Sequence, residues 1–209
     1  KIGDCKGNGI CANNGGRTLN AASTDNKITG NIINNTLNDG IYIGTGSTGT
    51  VISKNDVGVS NKSGIVVLDS KKCQVISNKV SDCRLDGIYL KNIGDTDIKS
   101  NNVTTVKRYG VQVISSQLKS LYGNTITGNG NCGLRIVQSR ISGSQQNRLR
   151  NNGSSYAVYS RNSTGSVLVR LPASARITRN TARITGTAAG GRRLTVYVVT
   201  KSGNKRIGQ

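Results

Sequence analysis

At 209 residues, 34% of them apolar, and with no Trp, Phe or Met, the chain is too poor in large side chains to fill a thick compact core. Its 27 Gly and single Pro imply many turns that use positive φ, and no apolar run is long enough to span a bilayer. The net charge of +20 is lopsided: residues 1–97 hold 11 Lys/Arg against nine Asp, whereas the other 18 cations, in 98–209, face no acid, so a polyanionic partner is worth considering.

The chain opens on "KIGDCKGNG", without initiator Met or signal-like stretch, and reads as a piece of a larger multidomain chain. Cys5, Cys11, Cys73, Cys83 and Cys132 follow no zinc spacing; a bridge from Cys5 to Cys11 would close a small loop, and packing is the expected role of most of the rest. Gly9 and Ile10 begin a phrase that returns at Gly40, Gly64, Gly87, Gly110 and Gly133, at intervals of 31, 24, 23, 23 and 23 residues. The long first interval holds "NNGGRTLNAASTD" (13–25), a polar surface insertion. A period near 23 is one coil of a solenoid.

Counting from each glycine, offsets +1 and +3 carry Ile41/Ile43, Ile65/Val67, Ile88/Leu90, Val111/Val113 and Leu134/Ile136, the alternation of a strand with one buried face. Offset −7 carries Ile33, Val57, Val80, Val103 and Ile126, and offset −12 carries Ile28, Ile52, Val75, Ile98 and Leu121, so each coil holds three short strands. Offset −9 is asparagine throughout: Asn31, Asn55, Asn78, Asn101 and Asn124, with Asn147 continuing the column before a shorter coil centred on Ser155, Tyr156 and Val158. Stacked at the strand spacing of about 4.8 Å, these side chains form a ladder, with the Asn backbone expected in the left-handed conformation that Asn tolerates. Their role is structural.

Past Asn162 the period is lost, and "SVLVRLPASARITRNTARITGTAAGGRRLTVYVVTKSGNKRIGQ" alternates as β-hairpin material, with turns at "AAGG" and "KSGNK". The expected organisation is therefore a solenoid over 1–162 and a C-terminal β segment over 163–209, in which 163–175 cap the solenoid edge. The run "ARITGTAAGGRRLTVYVVTKSGNKRIG" resembles the opening of the Ig-like modules of bacterial surface proteins, although only about half of such a sandwich is present.

The repeat itself, "N-x-I" followed by "GI-x-I", resembles the right-handed parallel β-helix proteins of the pectate-lyase-like superfamily. The resemblance implies an all-β, right-handed single-stranded parallel β-helix, here of about seven coils of roughly 23 residues. It carries the architecture of lyases, hydrolases, epimerases, tailspikes and inert rods alike, so activity has to come from particular residues. Hydrolases of that kind use paired Asp with a nearby His, and the mannuronan epimerases use an Asp-Pro-His motif; this chain has no His. Calcium-dependent lyases gather several acids around the ion, but Glu is absent and Asp82 with Asp86 alone make a poor cation site, so no cofactor is expected and calcium is unsupported.

Two sets of candidates remain. β-Elimination from a uronic-acid polymer needs a base and a cation to stabilise the anion, and Lys107 and Arg84 share offset −3 in successive coils, with Arg108 beside Lys107 and Lys91 as an alternative base. The outward column at offset +2 reads Tyr42, Val66, Tyr89, Gln112, Arg135 and Ala157, with Lys91 at +4. Sugars stack on Tyr, and Arg forks onto carboxylates, so Tyr42, Tyr89, Lys91, Arg108 and Arg135 are the candidate substrate-binding residues, on the face where the resemblance implies a groove.

The expectation is an extracellular or cell-surface module that binds an acidic polysaccharide; the alternatives are a polysaccharide lyase, or a stalk or adhesin without sugar chemistry. Nucleic acid is disfavoured, since the basic half has few aromatics and no reader motif. No metal site is expected.

Overall fold

The computed structural model describes residues 1–12, 23–153, 157–170, 182–185, 194–200 and 203–208. The chain winds into a right-handed parallel β-solenoid of about six turns, against the seven expected, with roughly 23 residues per turn and no helix among the described residues.

One side of the coil is an eight-stranded parallel sheet in the order Ile10–Ala12, Ile41–Ile43, Ile65–Leu68, Ile88–Lys91, Val111–Ile114, Leu134–Val137, Val158–Arg161, Ala182–Thr185. The other sides form a sixteen-stranded sheet that runs along the axis and returns through Thr164–Arg170, which pairs with Arg140–Ile141 at its start and with Asn147–Arg150 at its end. The pairing is in register: Ile41, Ile65, Ile88, Val111 and Leu134 lie opposite one another, as do Ile43, Val67, Leu90, Val113 and Ile136. All ten are fully buried, as are Ile33, Val57, Val80, Val103 and Ile126 on the next side. Among the described residues the core is a slender column of Ile, Val and Leu with two Cys, which is why large aromatic residues are unnecessary.

The glycine of each phrase is required by space rather than by φ. A methyl added at Gly87 would collide with the Val103 side chain and lie 2.7 Å from Gly110 O, and Gly40, Gly64 and Gly110 meet the same obstacle one coil on. The corner is tight because the offset −7 side chain of the following coil fills the space beside it.

Three ladders hold the corners. In the first, Nδ2 of Asn31, Asn55, Asn78, Asn101 and Asn124 donates to Oδ1 of the Asn in the next coil at 2.9–3.1 Å, and the same Oδ1 accepts the backbone N–H of the Asn below at 3.0–3.2 Å. The left-handed residue is not the asparagine but the one before it: Gly30, Lys54, Ser77, Ser100, Gly123 and Gln146 all have φ between 53° and 69°. The corner bends there so that the following amide can face inward. A second ladder joins Thr36 to Ser60 and Asn129 to Asn152, and a third runs through Ser116, Ser139 and Ser163, each hydroxyl accepting the backbone N–H of the residue below. Neither is evident from the asparagine column.

Two further differences from the expected layout concern the C-terminal coils. Leu134 pairs with Val158, an interval of 24, so the last coil is not shorter; Ser155 and Tyr156 lie outside the described residues. Beyond 162, Ala182–Thr185 pairs in parallel with Val158–Arg161, and Leu194–Thr200 in parallel with Thr164–Arg170, so both sheets continue across that boundary. Gly203–Gly208 then pairs antiparallel with Leu194–Thr200 as a hairpin. Most of the polar insertion, 13–22, lies outside the described residues. All five cysteines are free, and Cys73, Cys83 and Cys132 are buried as packing residues, so Cys5 and Cys11 form no bridge.

Candidate functional site

The eight-stranded sheet turns its +2 side chains outward, and its register sets them in one row: Cys11, Tyr42, Val66, Tyr89, Gln112, Arg135, Tyr159. The place expected for Ala157 belongs to Tyr159, because that phrase lacks its glycine and its strand starts at Val158, and Arg183 follows in register on the eighth strand. Val66 is buried between its neighbours, whereas Tyr42, Tyr89, Arg135 and Tyr159 are partly exposed. Tyr42 and Tyr89 stand two strand spacings apart, about 10 Å.

Around Arg135 the row becomes a built cluster. The Arg135 guanidinium carbon lies 5.3 Å from the Tyr109 ring centroid and 5.7 Å from that of Tyr159, and Arg108 approaches the same Tyr109 ring at 5.3 Å. Beneath them Gln112, 4% exposed, donates from Nε2 to Asp86 Oδ2 at 2.9 Å and accepts from Arg135 Nη1 at 2.6 Å. Asp86 is 3% exposed; its Oδ1 accepts the Tyr109 N–H at 3.2 Å and lies 3.8 Å from Arg108 Nε. Burial pushes the Asp86 carboxyl above its usual range, opposed by Arg108, the Tyr109 N–H and Arg135. Burial likewise raises the Tyr89 hydroxyl, with the Asp86 charge adding to it.

The geometry assigns clear roles. One Arg135 N–H bond is spent on Gln112, the guanidinium lies near two rings, and its remaining donors, without a hydrogen-bond partner among the described residues, can take a carboxylate in a forked pair. Asp86 is too deeply buried to touch a ligand; it holds Gln112 and the cations in place.

Of the residues singled out by sequence, Arg108 and Arg135 are brought together, and Tyr89 shares their row. Tyr42 lies two strands further along, and Lys91 is exposed at the far end of its strand, opposite Ile114. Arg84 and Lys107 occupy equivalent corner places in successive coils, their backbone N–H groups donating to Ser60 O and Cys83 O at 2.9 Å. Both are exposed, and among the described residues neither side chain makes an ion pair or hydrogen bond. Asp86, Gln112, Tyr109 and Tyr159 were not among the sequence candidates. A buried Gln in a row otherwise aromatic, apolar or cationic was the available signal. Among the described residues no group of His, Cys, Asp or Glu is arranged to hold a metal. Hollows of about 350 and 280 Å³ at two other corners include none of these residues.

The model of the right handed beta helix region matches residues 1–153 and, in an overlapping match, 43–192. No curated protein matches significantly by sequence. Among solved structures, the chain is similar to the A-module of the mannuronan C-5 epimerase AlgE4 of Azotobacter vinelandii, with a TM-score of 0.63 at 15% identity over 83% of this chain and 58% of that one. The A-module of AlgE6 from the same organism gives 0.63 at 14% identity, over 83% and 57%. The periplasmic alginate epimerase AlgG gives 0.62 at 20% identity, over 79% and 45%. At such identities the likeness is one of fold, and the chain spans little more than half of the first of these.

Proposed function

Starting from a chain that belongs to the right-handed β-helix family, we propose that its eight-stranded sheet binds an acidic polysaccharide, with Arg135 as the carboxylate anchor and Tyr89 and Tyr42 as stacking surfaces. The observation that carries this reading is the guanidinium of Arg135, held between Tyr109 and Tyr159 and tied to buried Gln112, with donors left over. An arginine preorganised in this way loses little freedom on meeting a carboxylate. The excess of cations in residues 98–209 adds long-range attraction for a polyanion.

The similar structures support the substrate class through their names alone, which speak of mannuronan and alginate. Binding is favoured over epimerisation or hydrolysis because these 209 residues contain no His to serve either chemistry. An extracellular or periplasmic location goes with a polysaccharide ligand, and among the described residues no helix is long and apolar enough to cross a membrane.

The test is retention on immobilised alginate, pectate and glycosaminoglycan at low salt, with a neutral glucan as control. Retention on an acidic polymer that falls with added salt is the expected result; no retention on any of the three removes the reading. A second reading rests on Lys107 and Arg84, one coil apart: Lys107 takes the proton next to the uronate carboxylate, Arg84 stabilises the anion, and the glycosidic C–O bond at the β carbon breaks, its oxygen leaving as a hydroxyl with a proton from Lys107 or water as the C=C forms. Incubation with the same polymers then produces an unsaturated product absorbing in the ultraviolet, and Lys107→Ala abolishes it. Absence of that absorbance leaves binding as the function.

A further inference from the structure

Gln112 has one good orientation, and a neighbour's proton sets it. With its nitrogen toward Asp86 Oδ2 and its oxygen toward Arg135 Nη1, it satisfies both; turned round, it sets oxygen against carboxylate and nitrogen against guanidinium. That preference holds while Asp86 is ionised. A proton taken from solvent onto Oδ2 makes Asp86 a donor there, and the amide oxygen then belongs on the Asp86 side. The amide nitrogen is left facing Arg135, donor against donor, and the guanidinium loses its anchor.

We propose that Asp86 and Gln112 form a proton-operated relay that fixes Arg135 when Asp86 is ionised and releases it when Asp86 is protonated. The proposal rests on reading Arg135 as the anion anchor for its biological consequence, but not for its test. It makes the face competent for an anionic ligand in neutral solution and loosens it in acid.

The surroundings of Asp86 set where this occurs. Arg108 and Arg135 face it from the two following coils, Tyr109 N–H binds Oδ1, and Tyr89 and Cys132 are the other titratable groups that sense its charge. On the preceding coil Gly64 N–H donates to Asp86 O and Leu85 N–H donates to Lys62 O, so the neighbours there are Ser63 and the exposed Lys62, the charged group on that side. Burial outweighs the two cations, so proton uptake begins at a higher pH than for an exposed Asp.

The test follows side-chain nitrogen and proton NMR signals of Gln112 and Arg135, and the carboxyl carbon of Asp86, across a pH titration of the protein alone. In the wild type all three are expected to move with one midpoint. Asp86→Asn keeps an Oδ1 for the Tyr109 N–H, as Asn8 Oδ1 accepts Asp39 N–H at 3.0 Å in the same column, and offers a permanent donor to Gln112. It is expected to hold the Gln112 and Arg135 signals at their acid-end positions at every pH. Gln112→Met, tolerable in a row that already contains buried Val66, is expected to leave Asp86 titrating while Arg135 no longer follows. The relay is overturned if Arg135 ignores Asp86 in the wild type, or still follows it in Gln112→Met, which would mean a direct field effect. Because no ligand is used, these results are independent of whether the face binds a sugar.

Discussion

Arg135 and Tyr109 come from successive coils and meet with the guanidinium carbon 5.3 Å from the ring centroid, while Arg108 meets the same ring from its own coil at the same distance. Two cations are thus gathered around one aromatic ring, and the buried carboxylate of Asp86 lies 3.8 Å from Arg108 Nε. Both cations stack on the Tyr109 ring and Arg135 is also tied to Gln112, so in the proposed function a ligand carboxylate would supply the charge that one buried Asp86 leaves unmatched.

The asparagine ladder hydrogen-bonds the coils that carry that cluster to one another. Asn101 donates to Asn124 Oδ1 and Val75 O, and accepts from Asn78, all in the buried interior. Asn101→Ala leaves several of these partners unsatisfied and is expected to cost about 3 kcal/mol or more. Asn31→Ala, at the partly exposed end of the column, is expected to cost about 1 kcal/mol. Urea unfolding of both variants checks the contrast; equal losses would mean that the ladder carries no special energy.

Val59 stands at a corner with φ of 40° and is 45% exposed, while Asn35 and Asp82 occupy the same corner in the adjoining coils at 53° and 55°. A β-branched residue is strained there, whereas Asn is at home. Val59→Asn is expected to stabilise the protein by about 1 kcal/mol, read as a higher melting temperature. A lower one would show that Val59 packs better than its exposure suggests.

What was legible in the sequence follows from repetition. Ile88, Leu90 and Val103 announce themselves because each coil repeats the same burial, and the coil period survives every substitution on the surface. The left-handed corner was misplaced by one residue because its occupants, from Gly30 and Lys54 to Gln146, share no chemistry; the fold forces the conformation and the next asparagine secures it. The site is the reverse case. Arg135 showed on its face, but Gln112 and Tyr109 each occur once in their columns and Asp86 shares its column with Asp39, which has no such cluster, so only their mutual contacts reveal them. Tyr159 is hard to place from sequence because Ala157 stands where the marker glycine would.

Asp39 tests the electrostatics of this corner in a simpler setting. Burial pushes its carboxyl up, against the Ser63 N–H, which it accepts at 2.8 Å, and the nearby Lys62. The folded protein therefore holds this proton more tightly than the unfolded chain. Its contribution is fully present below the unfolded value and is lost as the pH rises through the folded one. Asp39→Asn keeps the acceptor without the charge, so it is expected to melt higher than the wild type at pH 7, with the gain shrinking to nothing in acid. Melting curves at the two ends of the range check this; a gain that grows in acid would reverse the sign.

In the proposed function a particular face, and not the general positive charge, recognises the polyanion. Calorimetric titration of an acidic oligosaccharide into Arg135→Ala and Arg148→Ala compares the loss of one cation from the eight-stranded sheet with the loss of one from the strand Asn147–Arg150 on another side. Arg135→Ala is expected to weaken binding by about tenfold to a hundredfold, the value of a charge-assisted pair, and Arg148→Ala by about twofold or less. Equal losses in the two variants would contradict the account and reduce the interaction to net charge.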